Sequence, residues 1–161
     1  MRSLLVEGGA MALDDPVGES LRGHHAHLAR RLGRAAAYLP GVATFSAVPA
    51  DPDAADRDDL ARLLDRGEFA DLFSSPAPPD WEPVFLLNGL QMLWPGRGDR
   101  DGLDGGVEEP GADSVPEMLD LVARARPGPF WPRTPEMGAH LGIREDGRLV
   151  AMAGERLPPP G

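Results

Sequence analysis

The sequence predicts an α/β fold of the mixed α+β kind, and two observations support this. Hydrophobic residues make up 42% of the 161 residues, and they fall in blocks that have either helical or strand spacing. Proline- and glycine-rich turns separate the blocks, which is typical of short helices and strands that follow one another. A chain of this length forms one ordinary domain or two very small ones.

Four segments are expected along the chain. Residues 1–10 have no hydrophobic period and end near two glycines, so we expect a disordered leader and a native start at Met11. Residues 96–106 are rich in glycine and charge and predict a linker. The linker would separate an N-terminal half, residues 11–95, from a second half, residues 107–161.

The first predicted element is a helix over residues 18–33. Its apolar face follows steps of four, three and four residues. Start signals lie at Asp14 to Pro16 and a stop signal at Gly33. The residues on the apolar face are Leu21, His25, Leu28 and Leu32.

Shorter elements complete the N-terminal half. Residues 42–48 predict a strand, residues 54–66 a helix and residues 69–73 a brief strand. Trp81 to Trp94 predict one bulged strand, or two strands joined at Asn88-Gly89, because Asn-Gly is a strong hairpin signal.

The second half begins with a helix signal. Ser114 and Glu117 have the spacing of a capping box. Apolar residues continue at helical spacing to Val122, and the helix is expected to end before Pro127-Gly128-Pro129.

A short helix and a hairpin are predicted next. Thr134 is expected to cap a helix that runs to about His140. Ile143 begins a strand, Asp146-Gly147 forms a tight turn, and residues 149–153 form the return strand. The return strand is apolar on both faces and is therefore expected to lie inside a sheet.

The composition excludes several classes of function. The chain has 16 basic residues, all arginine, against 26 acidic ones, so its formal net charge is -10. Nucleic acids and anionic membranes both attract basic surfaces, so neither is an expected partner. The chain has no cysteine, no apolar run of about 20 residues and no signal-peptide core. Cytoplasmic is the expected location.

Candidate chemical groups are few. His24 and His27 could share a metal on one helix face, but no third ligand accompanies them, so no metal site is expected. His25 falls on the apolar face, which favours a hydrogen-bonded core histidine. The aspartates from Asp51 to Asp59 favour a solvated helix N-terminus. Motifs for a serine nucleophile and for a catalytic carboxylate pair do not occur.

Four runs of sequence in the second half carry a resemblance. They are Val-Pro-Glu-Met-Leu-Asp-Leu-Val-Ala-Arg from Val115, Arg-Pro-Gly-Pro-Phe from Arg126, Pro-Arg-Thr from Pro132, and Leu-Gly-Ile-Arg-Glu-Asp-Gly-Arg-Leu-Val-Ala-Met-Ala-Gly-Glu-Arg-Leu from Leu141. Together they resemble the opening of the catalytic domain in GNAT-superfamily N-acetyltransferases. Pro16-Val17, residues 25–29 and residues 89–92 resemble the N-terminal half of a two-part bacterial subset of that superfamily.

The resemblance implies a GNAT-like fold. An N-terminal half-domain would be followed by strand, helix, helix and hairpin, the first part of the catalytic domain. It also implies transfer of an acetyl group from acetyl-CoA to an amine acceptor, either a small molecule or a peptide.

The family's acetyl-CoA motif is missing from the sequence. The motif, Arg/Gln-x-x-Gly-x-Gly/Ala, follows the strand after the hairpin, and its backbone N–H groups bind the pyrophosphate. Residues 144–149 match it only in part and fall in the predicted hairpin. We therefore expect a chain truncated before the motif, without bound acetyl-CoA and without catalytic, cofactor-binding or metal-binding residues.

The resemblance also implies that one loop lies on the acceptor side. Phe130, Trp131, Arg133 and Thr134 are the candidate substrate-binding residues, since two aromatics and an arginine suit an amine that carries a carboxylate. The alternative is that Phe130 and Trp131 cover the sheet edge and Thr134 only caps a helix.

Three interpretations of function follow. The first is a truncated GNAT N-acetyltransferase, and the second is a non-catalytic binding or dimerisation module derived from that fold. The third is a two-part acetyltransferase whose other half is a separate chain. In a truncated chain the strand at residues 149–153 would have an uncovered edge, so self-association through that edge is expected.

Overall fold

The computed structural model describes residues 13–73, 75–92 and 106–157. Their helices and strands confirm the predicted mixed α/β class. The described residues fall into two compact units, one of residues 13–40, 44–73, 75–89 and 157, the other of residues 41–43, 90–92 and 106–156. The expected leader and residues 96–105 of the expected linker lie outside the described residues, so the four-segment division stays a prediction.

In the described part of the chain, the first unit holds a four-stranded sheet and the two α-helices that lie over residues 16–22 and 54–63. The strands lie in the order β1-β2-β3-β4, and only the β3–β4 pair is parallel. A small core of Ala35, Val48 and Leu60 joins the sheet to the second helix. The elements are α1 (Pro16–Arg22), a 3-10 turn (Ala26–Leu28), β1 (Ala29–Leu32), β2 (Ala35–Tyr38), β3 (Phe45–Ala47), α2 (Ala54–Leu63) and β4 (Asp71–Leu72).

The helix predicted over residues 18–33 is confirmed only as far as Arg22 and is wrong over residues 23–33. Its start is confirmed, because the side chain of Asp15 accepts a backbone N–H at 2.9 Å. The helix ends at Arg22, however, and Gly33, with φ of +54°, lies in the tight turn between β1 and β2 rather than at a helix end. The alanines of β2 favour helix by propensity, but pairing with strands on both sides decides their conformation.

His25 confirms the prediction of a hydrogen-bonded core histidine. Its ring is buried, and Nδ1 lies 2.8 Å from Ser20 Oγ and 2.6 Å from Tyr38 Oη. Burial raises the pKa of the Tyr38 hydroxyl, while the bond to Ser20 opposes that shift.

The helix predicted over residues 54–66 is confirmed as α2, with an end three residues earlier. Asp53 and Asp56 form a reciprocal capping box, in which each carboxylate accepts the other's backbone N–H at 2.9 Å. Asp56 is buried and binds the Arg34 guanidinium at 2.9 and 2.5 Å. The acidic run therefore does lie at a helix N-terminus, but the expectation that it is solvated is wrong for Asp56.

The short strands are partly confirmed. β3 and β4 lie within the two predicted ranges, residues 42–48 and 69–73. The strand predicted from Trp81 is wrong over residues 81–92, which pair with no strand in the described chain; Trp94 lies outside the described residues. Val84 to Leu87 are four successive apolar residues, and such a run has no alternation to select one buried face.

The second unit is a three-stranded antiparallel sheet with one helix packed on it. The strands lie in the order β5-β6-β7, and the helix packs against β7. The turn predicted at Asp146-Gly147 is confirmed, with φ values of +49° and +77°. The elements are β5 (Val107–Glu108), a 3-10 turn (Ala112–Ser114), α3 (Val115–Ala125), a second 3-10 turn (Thr134–Met137), β6 (His140–Glu145) and β7 (Arg148–Gly154).

The helix predicted from Val115 is confirmed, but its capping box is wrong. Ser114 has helical backbone angles and makes no side-chain cap bond. Arg144 on β6 binds both residues of the expected capping box instead, because its Nη2 lies 3.3 Å from Ser114 Oγ and 2.5 Å from Glu117 Oε2. Hydrogen bonds from Arg144 lower the pKa of the Glu117 carboxyl.

Two further predictions for this unit are corrected. The short helix expected to run from a cap at Thr134 to about His140 is a single 3-10 turn, in which Thr134 is the first residue rather than the cap, and His140 begins β6 instead. The apolar pattern of residues 149–153 predicts a strand inside a sheet, but among the described strands β7 pairs only with β6. Along β7 only Leu149 is buried and Met152 is half-buried, while the other five residues are exposed.

The described helices include none that is long and apolar enough to cross a membrane.

Candidate functional site

The candidate site is the loop that follows α3. The helix ends at Arg126, which adopts the left-handed conformation (φ +51°) and donates its N–H to the Val122 carbonyl at 2.8 Å. Two prolines and a glycine follow, and they prevent the helix from continuing. The chain then turns into the second 3-10 turn through Phe130, Trp131, Pro132 and Arg133.

Thr134 fixes the shape of this loop. Its side chain is fully buried, its hydroxyl accepts the Trp131 N–H at 2.9 Å, and the same hydroxyl donates to the Val42 carbonyl at 2.8 Å. The Arg133 N–H adds a bond to the Gly41 carbonyl at 3.0 Å. Two bonds therefore tie the loop to residues 41–43 of the same unit. With both hydrogen-bonding roles in use, the Thr134 side chain holds the loop in place.

Phe130 packs inward. Its ring meets the buried ring of His140 edge to face, with centroids 6.0 Å apart and planes at 84°. His140 Nδ1 in turn lies 2.9 Å from the Gly138 carbonyl. Gly154 on β7 leaves the space for this ring, since a Cβ there would lie 2.3 Å from His140 Cδ2.

Arg133 is paired rather than isolated. Its Nε and Nη2 donate to the two carboxylate oxygens of Glu136 at 2.7 and 2.8 Å, a bidentate contact. These hydrogen bonds raise the pKa of Arg133. Both side chains keep more than 40% of their surface exposed, so the pair is accessible to a ligand.

The four candidate residues of the loop thus differ in what they contact. Trp131, Arg133 and Thr134 are held together by hydrogen bonds, and Phe130 packs on His140. Among the four, Trp131 is half-buried and Arg133 carries the largest polar exposure. The acceptor role proposed for these residues stays a prediction.

Sequence reasoning missed the partners of these residues. Glu136 lies three residues after Arg133, so the pair could have been read from helical spacing. The hydrogen bond from Thr134 to Val42 joins residues 92 positions apart, so no local sequence pattern predicts it.

The described helix N-termini do not fit the pyrophosphate of acetyl-CoA. Such a site needs free backbone N–H groups and no competing negative charge. The carboxylate of Asp15 occupies the start of α1, and Asp53 and Asp56 occupy the start of α2. At the start of α3, Pro116 lacks an N–H and Glu117 adds a carboxylate. Within the described residues, no three acidic or histidine side chains group as metal ligands either.

Comparison with known proteins identifies the fold. The chain is similar to the crystal structure of a proposed acetyltransferase of the GNAT family from Novosphingobium aromaticivorans DSM 12444, with a TM-score of 0.62 and 28% sequence identity. The match covers 91% of this chain and 65% of that one, so this chain spans less than two thirds of its length. No protein-family model and no curated protein matches. The expected GNAT-like fold is confirmed.

Proposed function

We propose that the chain is part of a GNAT-superfamily N-acetyltransferase, in which it supplies the acceptor side of the site. The observation that carries the proposal is the structural likeness to a proposed GNAT acetyltransferase over 91% of the chain. The complete enzyme would transfer an acetyl group from acetyl-CoA to an amine acceptor, a small molecule or a peptide.

Trp131 and Arg133 would contact the acceptor. A tryptophan face attracts a protonated amine through its ring quadrupole, and an arginine fork suits an acceptor carboxylate. Glu136 already uses two nitrogens of that fork, so an acceptor carboxylate would have to share the guanidinium or displace Glu136. Thr134 acts as a positioning residue, because it ties the Trp131 backbone to Val42.

Acetyl-CoA would be held outside the described residues. All three described helix N-termini carry carboxylates, which repel a pyrophosphate. Calorimetry with acetyl-CoA should therefore show no appreciable binding to this chain, and micromolar binding would contradict this part of the proposal.

Acceptor binding is tested with a single-tryptophan protein. Trp81→Phe and Trp94→Phe leave Trp131 as the only indole, so its fluorescence reports on the loop. We expect saturable changes with at least one member of a panel of a polyamine, an aminoglycoside and a dipeptide with a free N-terminus. Arg133→Gln should weaken binding selectively for the dipeptide, which alone carries a carboxylate. No response to any amine would contradict the acceptor assignment.

The proposed truncation is tested at the level of the gene. The downstream nucleotide sequence should encode, in one of its frames, a strand followed by Arg-x-x-Gly-x-Gly/Ala. Its absence from every frame would instead favour a two-part enzyme or a binding module.

The second candidate function is a non-catalytic binding or dimerisation module. The three described α-helix N-termini favour it, since each carries a carboxylate that opposes the binding of a pyrophosphate. Amine binding to the loop distinguishes the two, because a dimerisation module has no need of it.

A further inference from the structure

A second guanidinium, that of Arg156, lies beside the loop that follows α3. The strand β7 ends at Gly154, and Arg156 Nη2 donates to the Pro129 carbonyl at the start of the loop. The Glu155 N–H donates to the Ala139 carbonyl at 2.9 Å, just beyond the loop's 3-10 turn. Both contacts lie within the second unit. They bring the end of β7 and the loop together.

Close packing holds the backbone before Arg156 in place. A Cβ on Gly138 would lie 2.8 Å from Glu155 Cβ, and a Cβ on Gly154 would lie 2.3 Å from His140 Cδ2. Glycine at these two positions therefore lets the strands approach this closely. Arg156 thus extends toward the loop from a strand end that packing and a hydrogen bond both fix.

Arg156 differs from Arg133 in its partners. Glu136 accepts from two nitrogens of Arg133. Around Arg156, by contrast, no carboxylate of the described chain lies within 4.0 Å of the guanidinium nitrogens. A guanidinium has five N–H donors, and the Pro129 carbonyl is the acceptor that the described chain gives Arg156. Donors are left for a ligand, and a carboxylate accepts from two of them at once.

The surroundings of Arg156 favour a bound anion. The side chain is half-buried, and burial lowers the pKa of its guanidinium. Arginine nevertheless stays charged at neutral pH. A partly desolvated positive charge therefore lies beside the loop without a counter-charge from the described chain. A bound anion would offset that desolvation.

We propose that Arg156 binds the carboxylate of the acceptor, which makes amino acids and peptides with a free carboxylate the preferred acceptor class. This assignment rests on the proposed function, because it assumes an amine bound at Trp131. Pro129, which Arg156 contacts, lies two positions before Trp131 in the chain. Arg133, whose fork Glu136 already fills, contributes less to carboxylate binding.

Net charge favours the same class of acceptor. The chain has a formal net charge of -10, so it repels a doubly charged phosphate more than a singly charged carboxylate. An amino acid or dipeptide with one ammonium and one carboxylate carries no net charge and is not repelled as a whole.

A pair of matched ligands tests the assignment on the single-tryptophan protein. A dipeptide and its C-terminal amide have the same amine and differ only in the carboxylate. We expect the dipeptide to bind about tenfold more tightly than the amide, as a charge-assisted hydrogen bond allows. Arg156→Gln should remove this preference, and the loss should be larger than in Arg133→Gln.

Two further variants separate charge from structure. Arg148→Gln is the matched control, because Arg148 is exposed at the opposite end of β7 and its loss changes the net charge equally. This variant should keep the tenfold preference. Arg156→Lys keeps the positive charge and a donor for the Pro129 carbonyl, so it should keep part of the preference. Equal loss of the preference in Arg156→Lys and Arg156→Gln would assign Arg156 a structural role and refute the proposal.

Nitrogen-15 spectra of the arginine Nε–H groups report the contact directly. The Arg156 resonance, identified by its loss in Arg156→Gln, should shift with the dipeptide and stay in place with the amide. If both ligands bind but this resonance does not move, or if Arg156→Gln keeps the preference, the assignment is wrong while the acceptor role of the loop stands. If neither ligand binds, the acceptor role fails and the assignment fails with it.

Discussion

Replacing Thr134 by valine should destabilise the protein through two hydrogen bonds, not through packing. Valine has nearly the same shape, so the buried volume hardly changes. The hydroxyl, however, accepts the Trp131 N–H at 2.9 Å and donates to the Val42 carbonyl at 2.8 Å. Valine supports neither bond and leaves both backbone groups without this partner.

The magnitude follows from where the two groups lie. A buried donor or acceptor that loses its partner costs about 1–3 kcal/mol. Val42 is fully buried, so its carbonyl carries most of that cost, while the half-buried Trp131 N–H can turn to water. We expect Thr134→Val to lower the free energy of unfolding by about 2–3 kcal/mol. Thr134→Ser keeps the hydroxyl and loses one methyl group, which costs about 1 kcal/mol.

Urea unfolding and amide hydrogen exchange measure these effects together. The valine variant should unfold at lower urea, and the Trp131 amide should exchange faster with solvent than in the serine variant. If the valine variant is as stable as the wild type, or less affected than the serine variant, then the hydroxyl does not hold the loop.

Three other predictions concern charge and burial. Asp56→Ala should lower the free energy of unfolding by about 2 kcal/mol in urea titrations, because it removes half of the capping box and the buried carboxylate that binds Arg34. The control Asp58→Ala, at an exposed position, should change the free energy of unfolding by less than about 0.5 kcal/mol. Hydrogen bonds from Arg144 lower the pKa of Glu117. The contribution of Glu117 to stability is therefore present above its ordinary pKa of 4.5 and is lost as the pH falls through the lower pKa of the folded state. The difference in urea midpoint between wild type and Glu117→Gln should close as the pH drops below 4.5. Tyr38 is the only tyrosine, and burial raises its pKa, so absorbance titration at 295 nm should show a midpoint above 10, and stability should fall as the pH rises above 10; a midpoint at the free-tyrosine value would show that the ring is solvated.

Local signals in the sequence predicted local structure well. Asp15 before a proline marked the start of α1, and Asp146-Gly147 marked the turn between β6 and β7. Each signal works through bonds or backbone angles within three or four residues. Where the sequence failed, a distant group decided the outcome. Arg144 binds Ser114 and Glu117, the two residues of the expected capping box, although they lie about 30 positions earlier in the chain.

The helix predicted over residues 18–33 failed for a related reason. A spacing of four, three and four residues fits one helical face, but it does not show that the backbone stays helical between those positions. Gly23 and Gly33 interrupt the segment, and the alanines after the second glycine pair with Ser46 and Ala47 of β3. Small side chains allow that pairing in the interior, but nothing in an alanine run distinguishes a buried strand from a helix.

The Pro-Arg-Thr run at residues 132–134 shows that a motif can be recognised from the sequence while the separate role of each of its residues cannot. The resemblance grouped Arg133 and Thr134 as acceptor-binding residues. In the structure, the Arg133 backbone binds Gly41 and the Thr134 side chain binds Val42, while the Arg133 guanidinium pairs with Glu136 and stays partly exposed. The loop's shape thus depends on a contact with a segment 92 positions away, while its chemistry depends on exposed groups beside it. Under the proposed acceptor role, a substitution at Thr134 should therefore change acceptor binding through the position of Trp131, and a substitution at Arg133 should change it through the charge of the ligand.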